Sequence, residues 1–520
     1  MFSPLSLDGQ SLCLNELVQV ARQQLPVHLS PDAKKAMQHS YQWVRDSANL
    51  DMPIYGVNTG FGSLARVRIH REQSALLSKN LIRSHAAGVG PIASRDICRA
   101  TMLLRANALA KGVSGCRPLL VETLLHYLNV DFYPHIPMKG SCGSSGDLAP
   151  LAHLGLVLIG DPEGTAEFNG QILPADQALQ LAGLSPIHLE AKDGLAITNG
   201  AQLSTAISAL ACHDAKELVL AAEIAAALSF EALLGVSRAI HPSVHRLRPY
   251  KGSLACARNL RALLEGSDYI DSVPEKVQDA YSLRCTPQVI GASRDTISFA
   301  AHQIHIELNA ATDNPLILMD ENTDNHAYSA GMFHGEPVGM AADCMKIAIA
   351  EIASLSERRL YRLTNGNLSQ RLPPGLIGSD RPVLGMMVPQ TTAAALVSEN
   401  KALGWPASMD SIPTCEDQED HIAMSTVAAR RCTQVLHNAQ RVIAIELMSA
   451  AHALNLRKES QPTKKLGAGT EQALLNVRQC LRACGPHATI GDQIEQLRTG
   501  ICNRSIFAGL PTLTPVERHA

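Results

Sequence analysis

A glycine- and serine-rich stretch, residues 140–150, carries the most unusual chemistry in this 520-residue sequence. Its small side chains allow the backbone to fold back tightly, so the nitrogen of Gly146 can attack the carbonyl carbon of Ser144. Loss of water and dehydration of Ser145 would then give a five-membered ring with an exocyclic methylidene, which is an electrophile. Only a serine hydroxyl can leave to form the alkene, and a side chain at position 146 would crowd the attacking nitrogen. The alternative interpretation is a plain loop before a helix that Asp147 caps.

Long runs without glycine or proline indicate the helices that must position this loop. The runs that we predict to be helical are 72–87, 96–111, 201–234, 340–363 and 414–461. The later runs are far longer than the average helix of ~11 residues, and long helices bury one another in bundles. We therefore predict a mainly α fold. A loop-rich N-terminal catalytic lobe, 1–200, precedes a long central helical bundle, 201–520.

Alanine-rich helix faces allow close approach between helices, also across subunits, so we expect an oligomer. The alternative is a large monomeric bundle. The chain contains 45 Lys and Arg against 48 Asp and Glu, with a formal net charge of -3. This balance argues against nucleic acid or acidic lipid as the main partner, because both need a dense basic surface.

The cysteine pattern and the N-terminus predict a cytoplasmic protein. The 13 cysteines are odd in number and contain no CxxC pair, which favours reduced thiols over a disulfide framework. The N-terminus lacks the basic and apolar regions of a signal peptide. The longest uncharged stretch, 194–213, contains Asn199, Gln202 and several hydroxyls, so it is a poor membrane span.

Other common catalytic motifs are missing from the sequence. It contains no GxxxxGK[ST] phosphate loop, no GxSxG elbow and no HExxH zinc motif. The pairs His302 with His305 and His241 with His245 have no clustered third ligand, so we predict no metal site.

The segment 140–153, GSCGSSGDLAPLAH, resembles the signature of the histidine and phenylalanine ammonia-lyase family. The resemblance covers nearly the whole chain and includes further motifs in the same order. These are YGVNTGFG at 55–62, SHAAG at 84–88, TNGAQ at 198–202, VQDAYSLR at 277–284, DNP at 313–315, FHGEP at 333–337, SENKA at 398–402 and QEDH at 418–421.

Membership of this family would imply a fumarase/aspartase-like architecture and elimination of ammonia from an α-amino acid. It would also imply that Ser144, Ser145 and Gly146 form 4-methylideneimidazol-5-one (MIO) autocatalytically, with no external cofactor and no metal. The family's homotetramers build each active site from three subunits. On that pattern, Tyr55 and the ring would meet Tyr281, Arg284 and Glu419 from neighbouring chains.

The reaction needs a better leaving group than ammonia and a base for a weakly acidic β-proton. The ring would activate the amine, and Tyr55 matches the family's catalytic tyrosine, which makes it the candidate base. Arg284 resembles the family's clamp for the substrate carboxylate, a task that suits a bidentate guanidinium. The alternatives are a packed loop anchor for Tyr55 and a surface salt bridge for Arg284.

Four further residues match the family's pocket. The polar side chains of Asn199, Gln278 and Tyr281 resemble groups that orient the electrophile, the amine and the carboxylate. Phe333 resembles an aromatic wall near the ring. Each of the first three could instead be a satisfied buried polar residue, and Phe333 could be ordinary core.

Substrate choice depends on two places in the resemblance. Ser84-His85 matches the histidine-type members, whereas phenylalanine-type members tend to have Phe-Leu and tyrosine-type members His-Leu there. Glu419 matches the carboxylate that histidine-type members direct at the imidazole, and a phenyl ring could not compensate for the desolvation of this group. Glu419 could instead be a helix N-terminal acid. Met387 could pack against the substrate ring or belong to the core.

The sequence departs from the family pattern at four positions. Ser144 replaces the usual Ala of the triplet, and ring formation should survive with a hydroxymethyl substituent. Ala280 stands where Pro is common, Ala201 where Thr is common, and Met332 where Asn is frequent. We expect Met332 and Ala201 to touch the pocket and so to affect substrate or rate.

Together these residues predict conversion of L-histidine to trans-urocanate and ammonia. A second enzyme hypothesis is a phenylalanine or tyrosine ammonia-lyase, or an aminomutase that returns the amine to the β-carbon; His85 argues against it. A third hypothesis, from another class, is an inactive helical scaffold, which the intact Ser145, Gly146, Tyr55 and Arg284 oppose.

Overall fold

The computed structural model describes residues 3–47, 53–60, 67–69, 71–319, 325–378, 385–485 and 487–517. Over these residues the protein is mainly α-helical with a few short strands, which confirms the predicted fold class. Phe61 and Gly62 of the motif at 55–62 lie outside the described residues. Within the described chain, every helix is too short or too polar to cross a membrane.

The helices of the first half of the chain are α1 to α9. Their bounds are Leu14–Gln23, Pro31–Ser47, Arg71–His85, Arg95–Ala110, Pro118–Asn129, Leu148–Leu158, Ala175–Ala182, Asp193–Thr198 and Gln202–Ala232.

The helices of the second half are α10 to α18. Their bounds are Pro242–Arg246, Lys251–Leu264, Tyr281–Arg284, Thr286–Leu308, Glu336–Thr364, Met387–Leu403, Ser425–Ser460, Ala468–Ala483 and Ile490–Cys502. Short 3-10 helices occur at Ser237–Ile240, Pro374–Leu376, Ala407–Met409 and Ser505–Phe507.

The strands β1 to β9 are short. Their bounds are Leu5–Leu7, Val27–Leu29, Val89–Ile92, Tyr133–Pro134, Pro137–Lys139, Thr165–Phe168, Gln171–Pro174, Leu316–Ile317 and Ala327–Tyr328. β1 pairs with β2 in parallel, whereas β3–β5, β4–β6–β7 and β8–β9 are antiparallel.

The predicted long helices are present, with one correction. The runs 201–234 and 340–363 correspond to α9 and α14. The run predicted at 414–461 is helical only from Ser425, the first residue of α16. Three consecutive residues, Cys415, Glu416 and Asp417, have φ between 50° and 61°, a left-handed conformation that a right-handed helix cannot include.

The chain divides into two compact units. The first comprises Met1–Leu210, Gln303–Asp343 and Pro406–Arg430, and it contains all the strands named above. The second comprises Ala211–His302, Cys344–Trp405 and Arg431–Ala520.

A buried ion pair holds three long helices together in the second unit. The guanidinium of Arg359 on α14 donates to both carboxylate oxygens of Glu446 on α16, at 2.6 and 2.8 Å. Ser229 on α9 and Ser356 also donate to this carboxylate. Because Arg359 and Glu446 are both fully buried, removing one partner would leave an unpaired charge at a cost of about 3–5 kcal/mol.

Candidate active site

A cavity of about 750 Å³ lies in the first unit, within the size range of small-molecule sites. It brings together seven residues that the sequence singled out. These are Tyr55, His85, Ser144, Ser145, Asn199, Phe333 and Glu419. Gly146 lines an adjoining cavity of about 290 Å³, which Ser144 and Glu419 also line.

The serine-containing loop before α6 is anchored by a buried carboxylate. Asp147 is fully buried, and its side chain accepts hydrogen bonds from the hydroxyls of Ser141, Ser204 and Thr426. It also accepts from the backbone N–H of Ser204 at 2.8 Å. Asp147 is thus the N-terminal flanking residue of α6, but its side chain ties the loop to other segments and does not cap the helix.

Gly146 lies in direct contact with the backbone of Gly200. Its φ is +72°, and an added Cβ would stand 2.1 Å from the carbonyl carbon of Gly200. The N–H of Asp147 donates to the Gly200 carbonyl at 2.8 Å, which holds the two segments together. Position 146 therefore requires glycine for two reasons, its left-handed conformation and the lack of space.

Asn199 follows α8 and reaches the same loop. Its Nδ2 donates to the carbonyl oxygen of Ser145 at 3.3 Å, while its own carbonyl accepts from the fully buried Arg105. Within the described residues, Oδ1 of Asn199 is buried and has no hydrogen-bond partner. A buried acceptor without a partner is costly, so this atom is suited to a donor that enters the cavity.

Glu419 is the carboxylate that contacts the two serines, and three hydroxyls surround it. Ser145 donates to Oε1 at 2.6 Å. Ser144 and Thr414 donate to Oε2 at 2.8 and 2.6 Å. The backbones of Thr414 and Glu419 also pair, N–H to carbonyl in both directions, so the side chain projects from a closed loop.

These contacts change two expectations about Glu419. It belongs to the loop before α16 and is not a helix N-terminal acid. It also reaches Ser144 and Ser145 within the same chain, which corrects the expectation that a neighbouring chain supplies it.

The surroundings favour the ionised form of Glu419. Burial opposes ionisation, but the hydrogen bonds from Ser145, Thr414, Ser144 and the thiol of Cys415 outweigh it, so the pKa of the carboxyl group is lowered below its usual value. The cavity therefore presents a negative charge beside the two serines at neutral pH.

Tyr55 projects from a tight turn supported by apolar packing. Its neighbours Ile54 and Val57 are buried in a cluster with Val44 and Ile317. The Ile54 N–H donates to Oδ1 of Asn58 at 2.7 Å, which closes the turn. Tyr55 itself is half-buried and lines the cavity, so the turn presents its phenol to the interior of the site.

His85 is the last residue of α3, and its ring is fixed by the preceding turn. Nδ1 lies 2.8 Å from the carbonyl oxygen of Leu81 and 3.0 Å from the hydroxyl of Ser84. The carbonyl can only accept, so Nδ1 carries the hydrogen, and Nε2 of the neutral ring is an acceptor.

Phe333 lines the cavity beside two histidines that the sequence analysis gave no role. The rings of His334 and His421 are parallel, with centroids 6.0 Å apart. Nε2 of His334 donates to the His421 carbonyl, and Nδ1 accepts from the N–H of Glu336, the first residue of α14.

The remaining predicted site residues belong to the second unit. The guanidinium of Arg284 lies 4.5 Å from the ring centroid of Tyr281, and its Nε donates to the Asp279 carbonyl at 2.9 Å. Tyr281 is 69% exposed and Gln278 is also exposed. Met387 begins α15 and is 50% exposed.

Comparison with known proteins identifies the family. The model of the aromatic amino acid lyases matches residues 12–479. The chain belongs to the aromatic amino acid lyase family. The resemblance inferred from the motifs, and with it the expected enzyme class, is therefore confirmed.

Relatives within this lyase family match the chain over almost its whole length. The histidine ammonia-lyase of Gloeobacter violaceus is 48% identical over 485 residues, which cover 93% of this chain and 92% of the relative. The crystal structure of histidine ammonia-lyase from Trypanosoma cruzi has a TM-score of 0.88 at 35% identity, covering 98% of this chain and 96% of that one. A tyrosine aminomutase from Streptomyces globisporus has a TM-score of 0.90 at 33% identity, covering 98% and 100%.

The loop of this aromatic amino acid lyase fits the ring that the family resemblance implies. Its central serine is followed by a glycine whose φ and contact with Gly200 exclude a side chain. The Ser145 carbonyl accepts from Asn199, and the Ser145 hydroxyl donates to an ionised carboxylate. The residues needed to form the ring and to hold it are thus in place.

The site contains residues that the sequence analysis did not predict, and two residues that we expected in the pocket do not line it. Thr414 lies in the run predicted to be helical, so nothing in the sequence indicated the hydrogen bond from its hydroxyl to Glu419. His334 and His421 belong to the motifs FHGEP at 333–337 and QEDH at 418–421, close in sequence to Phe333 and Glu419. Among the described residues lining the cavity, neither Met332 nor Ala201 occurs; Met332 is 49% exposed and Ala201 is buried where α9 begins.

Proposed function

We propose that this chain is a histidine ammonia-lyase, which eliminates ammonia from L-histidine to give trans-urocanate. The observation that carries the proposal is the ionised Glu419 in hydrogen-bond contact with the two serines of the ring-forming triplet. The name shared by relatives such as the Gloeobacter violaceus protein supports the same substrate.

Ser144, Ser145 and Gly146 would form MIO, and Asn199 would hold it through its bond to the Ser145 carbonyl. When formed, the ring supplies an electrophile that takes up the substrate amine and makes it a better leaving group. We infer that the enzyme needs no external cofactor and no metal.

Tyr55 would accept the β-proton of the substrate. Its turn is anchored by the buried Ile54 and Val57, and its side chain lines the cavity beside the serines. A positioned base of this kind contributes roughly 10²–10⁴-fold to a rate, because proton transfer to it needs no reorganisation.

Glu419 and His85 would recognise the imidazole of the substrate. A carboxylate accepts an imidazole N–H in a charge-assisted hydrogen bond, whereas a phenyl ring offers no donor and would leave the charge desolvated. His85, with Nε2 as an acceptor, can receive a second N–H donor from the substrate.

Arg284, Tyr281 and Gln278 would bind the carboxylate and the amine from a neighbouring subunit of a homotetramer. Their exposure on the second unit supports this, since Tyr281 is 69% exposed in the isolated chain. Phe333 would form an aromatic wall, and Met387 would pack on the imidazole. The thirteen free cysteines support a reducing, cytoplasmic location.

The test is to offer the purified protein histidine, phenylalanine and tyrosine separately. We expect a new conjugated-acrylate absorbance and ammonia release with histidine only. Turnover of phenylalanine or tyrosine instead would contradict the proposal. A β-amino acid without net ammonia release would identify an aminomutase.

A further inference from the structure

We propose that the Ser144 hydroxyl is a specificity-determining positioning group, which together with Thr414 holds Oε2 of Glu419 and leaves Oε1 to accept the substrate's imidazole N–H. This inference rests on the proposed function and assigns a role to the residue where this chain departs from the family's usual alanine.

The two oxygens of Glu419 have different partners. Oε2 accepts from Ser144 at 2.8 Å and from Thr414 at 2.6 Å. Oε1 accepts from Ser145 at 2.6 Å. One oxygen is thus held by residues that remain after maturation, and the other by the serine that must react.

Ring formation removes the partner of Oε1. Attack of the Gly146 nitrogen on the Ser144 carbonyl carbon forms a C–N bond, and the carbonyl oxygen leaves as water with the two amide protons of Ser145 and Gly146. The second water consists of the Ser145 hydroxyl and the Ser145 Cα proton, and an alkene remains. The Ser144 hydroxyl takes no part in either loss.

After these losses Oε1 lacks its hydroxyl donor, whereas Oε2 keeps both of its donors. A half-buried carboxylate oxygen that has lost a hydroxyl donor binds an entering N–H more strongly than one that keeps two such donors, and the thiol of Cys415, which also bonds to this carboxylate, is a weaker donor. The two hydroxyls on Oε2 also fix the carboxylate plane, so the direction of Oε1 is set before substrate enters.

An alanine at position 144 would leave Oε2 with Thr414 alone. The carboxylate would then rotate more freely, and its pKa would rise because one stabilising hydrogen bond is lost. Both effects weaken binding of an imidazole donor, whereas a phenyl ring makes no hydrogen bond that they could weaken.

The experiment compares Ser144→Ala with Ser144→Thr, which keeps a hydroxyl, and with Ser329→Ala as a matched control. Ser329 lines the same cavity, but its hydroxyl donates to Asn314. For Ser144→Ala we expect the intact mass of a ring-containing chain. The KM for histidine should rise about tenfold, with a smaller change in kcat. In the pH profile of kcat/KM, the loss of activity on the acid side should begin at a higher pH than in the wild-type protein. Ser144→Thr should restore both properties, and Ser329→Ala should leave the acid side of this profile unchanged.

A second measurement does not depend on the ring. In the Ser145→Ala background, calorimetry with 3-(imidazol-4-yl)propionate should show binding, and adding Ser144→Ala should weaken it about tenfold. The phenyl analogue should not lose affinity when Ser144→Ala is added.

If Ser144→Ala left both the KM for histidine and the acid side of the kcat/KM profile unchanged, the inference would be overturned. A Ser144→Ala chain that lacks the ring would also overturn it, because the role would then lie in maturation. Failure of the proposed function gives a different result: the wild-type protein would not turn over histidine, whatever the residue at position 144.

Discussion

The hydroxyl of Ser145 donates a 2.6 Å hydrogen bond to Oε1 of Glu419. The serine that must lose its oxygen for ring formation therefore touches the carboxylate that we propose to bind the imidazole. Electrophile formation and substrate recognition share this small region of the cavity, and each can be tested without the other.

Ser145→Ala should remove the electrophile and leave the fold intact. The alanine has no hydroxyl to lose, so the intact mass should match the unmodified chain, whereas the wild-type protein should be lighter by two water molecules. We expect histidine turnover to fall at least about 10³-fold, because the covalent route to a better leaving group is lost. Unchanged activity in this variant would refute the assigned chemistry.

Glu419→Gln should reduce kcat/KM for histidine by about 100-fold. The amide keeps the size of the side chain but loses the charge that accepts the imidazole N–H. Glu416→Gln is the matched control, since Glu416 is exposed in the same loop and should tolerate the change. Near-wild-type turnover by Glu419→Gln would reject imidazole recognition by this residue.

Tyr55→Phe should retain the ring, as judged by intact mass, and lose activity by roughly 10²–10⁴-fold. The phenyl ring fills the same space, so the turn at Ile54 and Val57 should persist. The exposed Tyr250 offers a comparison, because Tyr250→Phe removes a hydroxyl from a residue that does not line this cavity. Equal rates for the two variants would exclude Tyr55 as the base.

Gly146→Ala should block ring formation. Its Cβ would stand 2.1 Å from the backbone of Gly200, so the loop must move. Gly170 has a similar φ of +77° with nothing within 4 Å, so Gly170→Ala carries only the conformational cost of roughly 1–2 kcal/mol. Intact mass should show two lost waters in Gly170→Ala and none in Gly146→Ala; lost waters in both variants would show that the contact does not matter.

Glu307 should make the stability of the fold dependent on pH. Burial, with a contribution from the negative Asp147, raises the pKa of Glu307 to about 7. The folded state therefore binds this proton more tightly than the unfolded state. The protonated carboxyl group contributes to the free energy of unfolding at low pH, and this contribution is lost as pH rises from about 4.5 to 7.

Glu307→Gln should accordingly raise Tm relative to wild type more at pH 8 than at pH 5. Glu351→Gln, at an exposed position, is the control and should show a smaller pH dependence. If Glu307→Gln raised Tm by the same amount at both pH values, the expected ionisation of Glu307 would be contradicted.

The sequence predicted the longest helices and led to a hypothesis for the chemistry of the triplet. Runs without glycine and proline predicted α9 and α14, because little else competes with helix formation there. The paired requirement for serine and glycine at 145 and 146 follows from reaction chemistry alone. The resemblance supplied the other site residues, and five of them line one cavity together with Ser144 and Ser145.

The partners of Glu419 could not be predicted. Ser144 and Glu419 are 275 positions apart, and no local pattern shows which hydroxyls surround a carboxylate. Cys415, Glu416 and Asp417 have left-handed backbone conformations but are not glycines. The sequence of this loop therefore contains no residue that indicates a break in the predicted helix. The division into lobes 1–200 and 201–520 remains a prediction.

The loop that presents Glu419 is closed by backbone hydrogen bonds between Glu419 and Thr414, which do not depend on the side chain at position 419. A substitution at position 419 can therefore change the chemistry offered to a substrate side chain while these backbone bonds remain available. Such a position is a natural starting point for redirecting the enzyme towards other amino acids, and for a lineage to acquire a new preference in few steps.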